Sequence, residues 1–200
     1  MTGSRLSERS RASIKVRAAL AGGLVFGLAA GLTVASWTDA ERVGATFAAS
    51  TFGLQTSVQG GAYSAATSVT GTVTGLYPGT PAYIAVKVKT AAVSTAGTVS
   101  LSAAANSTGL AAVLRYRIVQ TLAACTATSF TGSPTYVVGG ASTYQQVSSA
   151  LAATPGLAVG ASASSEVGYC IELGMPLGVV QATYQGVSGT PTWNIVGTSS

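Results

Sequence analysis

The sequence predicts an all-β fold: an antiparallel β-sandwich with one or two short helices, preceded by an N-terminal signal helix. Three observations carry that expectation. Apolar and polar residues alternate at period two in stretch after stretch, and Gly, Pro, Ser and Thr separate the stretches; strands wetted on one face show this pattern. Charged residues make up only 8% of the chain, against roughly 25% in an ordinary soluble protein. Ser and Thr supply a quarter of it, so the surface presents hydroxyls rather than ions, and β-branched Thr favours strands. Finally, the apolar run before residue 36 has the form of an export leader. With 200 residues the chain is long enough for one domain with a real core.

Residues 1–17 carry Arg5, Arg9, Arg11, Lys15 and Arg17 against Glu8 alone, and residues 18–35, "AALAGGLVFGLAAGLTVA", carry no charge. A basic stretch, an apolar stretch and small residues at −3 and −1 make a secretory signal peptide. Thr33 and Ala35 occupy those two positions, so cleavage falls before Ser36. The expected organisation is a signal peptide at 1–35, a mobile N-terminal segment at 36–45 and a β-sandwich domain at 46–200. An uncleaved leader would be the chain's only attachment to a membrane; the exported part belongs outside the cell or at its surface.

Along the exported part, residues 46–57 read as a strand anchored by Phe47, Phe52 and Leu54. Phe47 and Phe52 are out of phase, which predicts a bulge between them. In 67–75, Val69 and Val73 alternate with Thr. "LYPGTP" at 76–81 has Pro-Gly turn chemistry. In 83–90, Ile84, Val86 and Val88 face one way and Lys87 and Lys89 the other. Val99, Leu101 and Ala103 share a face in 97–105. Leu114, Tyr116 and Ile118 oppose Arg115 and Arg117 in 112–121. Residues 165–174 turn Val167, Tyr169, Ile171 and Leu173 inward and Glu166 and Glu172 outward beside Cys170. Trp193 and Ile195 are in phase in the last strand, 190–198. One helix is expected at 142–156, where Ser142 and Gln145 fit a capping box, Tyr144, Val147 and Leu151 recur at helical spacing, and Pro155-Gly156 end it. A shorter helical turn is expected within 177–184.

The net charge of +5 belongs to the leader; beyond residue 17, five basic residues face four acidic ones. The pairs Lys87/Lys89 and Arg115/Arg117 read as solvated strand faces rather than a nucleic-acid footprint, which needs a basic patch. The chain contains no His. That removes the usual general base, every Ser-His-Asp arrangement and most zinc sites, and no phosphate-binding or nucleophile-elbow motif occurs. Glu166 and Glu172, six apart on one strand, are roughly 20 Å from each other and cannot flank a sugar as a glycosidase pair. No catalytic residue, cofactor or metal is expected. Export into an oxidising compartment makes one disulfide, Cys125–Cys170, the default for two cysteines.

The order of several short motifs resembles the secreted TasA/camelysin family, exported through a SipW-type signal peptidase. The leader ends Thr-x-Ala; Trp37 and Asp39 follow, then Ala45-Thr46-Phe47-Ala48, like that family's mature start and first strand. Leu76, Pro78 and Gly79 match its L-x-P-G-D segment, with Thr80 where the family has Asp. The C-terminal half is similar to the actinobacterial branch called alternate signal-mediated exported proteins, at Tyr169, Cys170, Pro176, Gln185, Gly186, Trp193 and Gly197-Thr198-Ser199. The likeness covers both ends and little of the middle. It implies a jelly-roll sandwich and self-association into extracellular fibres, with the segment around Trp37 and Asp39 donated as a strand to a neighbour. Proteolysis, described for camelysins, does not transfer to a chain without His. The expected function is a secreted, non-enzymatic subunit of a cell-surface or biofilm-matrix fibre; the alternative is a monomeric surface β-sandwich that binds a ligand or carbohydrate.

Overall fold

The computed structural model describes residues 51–71 and 76–200. Within them the chain forms ten strands: β1 (Leu54–Val58), β2 (Ser68–Thr70), β3 (Ala82–Thr90), β4 (Gly97–Ser102), β5 (Arg115–Gln120), β6 (Tyr136–Val138), β7 (Gln145–Gln146), β8 (Leu157–Val159), β9 (Glu166–Gly174) and β10 (Thr192–Ser199). They build two antiparallel sheets. One has the order β1-β3-β9-β5-β6, with β7 also pairing β5; the other has the order β2-β10-β4-β8. Successive strands pass from one sheet to the other at nearly every connection, so the expected antiparallel β-sandwich is what the residues form.

The period-two faces explain the packing. Ile84, Val86 and Val88 of β3, Tyr116 and Ile118 of β5, and Val167, Tyr169, Ile171 and Leu173 of β9 point inward from the larger sheet. Val69, Val99, Leu101, Trp193 and Ile195 meet them from the smaller one. Two contacts tie the layers. The Tyr116 and Trp193 rings meet edge-to-face with centroids 5.2 Å apart, a favoured aromatic geometry. The Tyr169 hydroxyl donates to the Val99 carbonyl at 3.3 Å.

The Pro78-Gly79 turn forms as expected: the Thr80 N–H bonds the Tyr77 carbonyl at 3.0 Å. Gly79 has φ +79°, which suits Gly at the third position of such a turn. The first strand differs from expectation. Over the described part of 46–57 the strand is Leu54–Val58, and it begins after the Gly53 carbonyl accepts from Ala91 at 2.8 Å. Phe47, and with it the proposed bulge, lies outside the described residues, as does Val73.

The helix expected at 142–156 is absent. Gln145 and Gln146 pair with Tyr116 and Arg115 as strand β7, the Val147 N–H bonds the Leu114 carbonyl at 3.0 Å, and Leu151 bridges Ala103. Tyr144, Val147 and Leu151 have helical spacing but serve different surfaces: Val147 and Leu151 join the core between the sheets, and Tyr144 bonds to Glu172 on the outer face. Ser, Thr and Gly compete for backbone hydrogen bonds outside helices, and sheet contacts capture the segment. The described residues hold four short 3-10 turns, at Gly109–Ala112, Ala127–Phe130, Ala161–Ala163 and Gln181–Tyr184, the last inside the expected 177–184 stretch. No helix among the described residues is long and apolar enough to cross a membrane.

The outer face of the larger sheet is half roofed. After β5, residues 121–135 turn back across β9 and form a second apolar cluster of Val119, Phe130 and Cys170 with Tyr83, Cys125 and Tyr136 against it. Gly168 permits this crossing. The Thr121 N–H bonds the Gly168 carbonyl at 2.9 Å, and a Cβ on Gly168 would collide with the Thr121 carbonyl oxygen. The Cys125–Cys170 disulfide, with Cα atoms 5.1 Å apart, fastens the crossing to β9.

Candidate functional site

All six charged residues of the described part lie on the outer face of the larger sheet: Lys87 and Lys89 on β3, Arg115 and Arg117 on β5, Glu166 and Glu172 on β9. Alternation puts them on one side of their strands, and the register sets Lys89 opposite Glu166 and Arg117 opposite Glu172.

Arg117 and Glu172 make a bonded pair at 2.8 Å, with side chains 12% and 6% exposed. The second carboxylate oxygen of Glu172 accepts from the Tyr144 hydroxyl at 2.9 Å. Arg117 also donates to the Ala141 carbonyl at 2.6 Å. Its guanidinium lies over Phe130 at 4.8 Å and Tyr144 at 4.9 Å, so aromatic faces supply cation–π contacts around a largely desolvated charge. Burial pushes the Tyr144 hydroxyl pKa up and the Glu172 bond pushes it further. Burial lowers the Arg117 pKa, but the hydrogen bond and charge of Glu172 outweigh it and the net direction is upward. Sequence alternation placed Arg117 on a solvated face; the 136–144 loop covers it instead. This cluster staples that loop to β9 and β5. Both Glu172 oxygens are engaged and no nucleophile adjoins them, so the geometry is that of a clamp rather than an acid–base centre.

Beyond the roof, Glu166 accepts from the Tyr63 hydroxyl at 2.7 Å, and the Lys89 ammonium sits 4.0 Å from the Tyr63 ring centroid. Burial, then the Glu166 bond, pushes the Tyr63 pKa up to about 12. Among the described residues no three His, Cys, Asp or Glu side chains come together as a metal site would require.

The smaller sheet is the opposite. Its outer positions are Ser68 and Thr70 on β2, Thr192, Asn194, Val196 and Thr198 on β10, Thr98, Ser100 and Ser102 on β4, and Ala158 on β8, with no charge among them. Its β2 edge is open among the described residues. The Thr67 carbonyl and the Gly71 N–H bond to β10, each at 2.8 Å. Odd-numbered backbone groups therefore face β10, and those of Ser68 and Thr70 face away. Both residues are exposed, and neither Lys nor Pro stands at 68–71 to block pairing. By contrast, the outer edge of β1 is closed at its middle, where Thr56 and Ser64 exchange backbone bonds at 2.7 and 3.0 Å.

Of the residues singled out by sequence, Cys125 and Cys170 are brought together as expected. Thr33, Ala35 and Ser36 of the cleavage site and Trp37 and Asp39 of the assembly segment lie outside the described residues. The Arg117–Glu172–Tyr144 cluster was not foreseen. The signal available was that Arg117 and Glu172 both stand at outward positions, but pairing them needs the strand register, and Tyr144 was assigned to a helix. No protein-family model matches the chain, and no curated protein matches it either.

Proposed function

We propose that the chain is a secreted, non-enzymatic structural subunit of a cell-surface or matrix fibre, in which residues 36–45 of one copy add as a strand to the β2 edge of another. The observation that carries this reading is the charge-free β2 edge, open among the described residues, with the outward backbone groups of Ser68 and Thr70 available for an added strand. The disulfide is consistent with an oxidising, extracellular setting. The donated stretch "SWTDAERVGA" has one large apolar group, Trp37, whose burial in a neighbour contributes roughly 2–3 kcal/mol.

The test is assembly of the secreted protein, followed by size-exclusion chromatography and electron microscopy. Wild type should begin at Ser36 by N-terminal sequencing and form concentration-dependent oligomers and fibres. Trp37→Ala should be secreted and folded but monomeric. Ser68→Pro, which deletes an outward N–H and no bond to β10, should do the same from the acceptor side. Normal fibres from both variants would refute strand addition at this edge. The second reading, a monomeric carbohydrate-binding surface protein, is favoured by a groove on the same sheet.

A further inference from the structure

Where β4 ends and β10 begins, the smaller sheet opens into a groove of about 260 Å³ lined by Ala104, Ala105, Asn106, Thr190, Thr192 and Asn194. Its chemistry is uniform: amides, hydroxyls and methyls, with no ionisable side chain. We infer that this groove is a binding site for a neutral, polyhydroxylated ligand, one ring of a saccharide chain whose neighbouring units lie along the uncharged outer face of the smaller sheet.

Three observations point to that class. First, the polar groups lining the groove are largely unengaged. No hydrogen bond within the described residues involves the side chains of Asn194 or Thr192, both of which are exposed. Asn106 is held in place by its own loop: its side-chain oxygen accepts from the Thr108 N–H at 3.1 Å and the Thr108 hydroxyl at 2.8 Å. Its amide nitrogen makes a single long bond, 3.5 Å, to the Thr190 carbonyl. An amide NH₂ has two protons to donate, so a donor is left at a fixed position. Side-chain amides and hydroxyls can each both donate and accept, which matches sugar hydroxyls, while Ala104 and Ala105 offer methyls to the C–H face of a ring.

Second, charge is segregated. Every charged residue of the described part is on the other sheet's outer face. An anionic or cationic ligand in the groove would lose hydration and gain no counter-charge, which is costly; a neutral polyol meets no such penalty.

Third, a buried hydroxyl lacks a partner beside the groove. Tyr116 is 1% exposed, and its hydroxyl oxygen has no hydrogen-bond partner. The Trp193 indole N–H, acting as a donor toward it, tempers the rise that burial imposes on its pKa, but falls outside hydrogen-bond geometry and in any case only donates, so the O–H proton has no acceptor. Tyr116 is among the residues lining a cavity of about 10 Å³ that shares Ala104 and Thr192 with the groove, close to the smallest space that holds one water. A water there, in reach of a ligand hydroxyl over Thr192, would give Tyr116 the acceptor it lacks. The groove is smaller than the roughly 300–1,000 Å³ of sites that engulf a drug-sized ligand, so it seats a single ring of a chain that continues along the sheet. The inference does not depend on fibre assembly: Thr192 and Asn194 line the groove from β10, opposite Thr70 and Ser68, whereas an added strand would pair with the far side of β2.

The test is calorimetric titration of the purified protein with neutral hexasaccharides (cello-, laminari- and malto-oligosaccharides), with oligogalacturonate as the charged counterpart. At least one neutral chain should bind saturably, and oligogalacturonate should not. Asn194→Ala should weaken binding about fivefold to tenfold, the effect of one lost neutral hydrogen bond. Ala105→Trp, which fills the groove from an exposed position, should abolish it. Lys87→Ala, on the opposite sheet, should leave it unchanged. Failure of all three neutral chains to bind at millimolar concentration overturns the inference, as does equal binding of oligogalacturonate or binding unaffected by Ala105→Trp.

Discussion

Arg117 and Glu172 face each other across β5 and β9 at 2.8 Å, almost wholly removed from solvent. Two carbonyls of the 140–141 turn, the Tyr144 hydroxyl and the faces of Phe130 and Tyr144 surround them, leaving the Arg117 Nε without a hydrogen-bond partner. A buried pair of this kind contributes little net stability over a well-packed apolar pair, because desolvation offsets the attraction, but leaving one partner alone is expensive. What the pair does here is fix where the 136–144 loop sits.

Glu172→Ala should therefore destabilise the fold by about 3–5 kcal/mol, the range for stranding a buried charge. Arg117→Met combined with Glu172→Leu should lose much less, and the difference between double and single variants is the quantity to measure by denaturant unfolding. Equal losses in the two would mean that the pair is stabilising in itself.

Gly168 and the disulfide form one device. Gly168→Ala puts a methyl on the Thr121 carbonyl, and Thr121 leads into the segment that carries Cys125 to Cys170. The variant should fold less stably and show free thiols in non-reducing mass spectrometry of the purified protein. Wild type should show one bond per chain. Replacing both cysteines by Ser should cost roughly 3–4 kcal/mol in the chain-entropy account of a 45-residue closure. A fully oxidised, equally stable Gly168→Ala protein would contradict the coupling.

Much of this fold was legible in advance because its strands alternate. Ile84, Val86 and Val88, or Val167, Tyr169, Ile171 and Leu173, reveal their buried face from spacing alone, and two cysteines leave one intramolecular pairing. What spacing does not encode is which strand lies beside which. Lys87/Lys89 and Arg115/Arg117 look alike in sequence, yet the roof of residues 121–144 buries Arg117 while Lys89 lies over the Tyr63 ring. Gly168, in mid-strand, was a local sign of close backbone approach, but not of what approaches. The false helix at 142–156 arose because Tyr144, Val147 and Leu151 share a period by coincidence while belonging to opposite sides of one sheet. The edge at Ser68 and Thr70 and the groove at Asn194 depend on strand order, which alternation leaves undetermined.

Several tyrosines titrate late. Burial pushes the Tyr169 pKa up to about 12, burial and Glu166 do the same for Tyr63, and Tyr83, Tyr116 and Tyr144 shift in the same direction. Between the ordinary value of 10.0 and about 12, the folded chain holds protons that the unfolded chain has released. Stability then falls with rising pH. It should be fully present below pH 10 and be lost progressively as the pH approaches 12, and phenolate absorbance should lag behind that of the urea-unfolded protein. Superimposable titrations of folded and unfolded chain would refute the assignment.

Tyr116 offers a test that separates stability from binding. Its hydroxyl is buried without a partner, and a buried polar group left unsatisfied costs roughly 1–3 kcal/mol. Its ring fills core volume and meets Trp193 edge-on, so Tyr116→Phe removes one oxygen and keeps the packing. The free protein should be as stable as wild type or more so, a rare direction for a core change, because most substitutions there destabilise. Thermal unfolding without saccharide reads that outcome. In the presence of a neutral oligosaccharide that occupies the groove, the order should reverse: wild type should gain more in melting temperature than Tyr116→Phe, since only wild type can use the ligand or its bridging water to satisfy the hydroxyl. A variant less stable than wild type even without saccharide would mean that the hydroxyl already has a partner, and that the cavity beside the groove is not where it finds one.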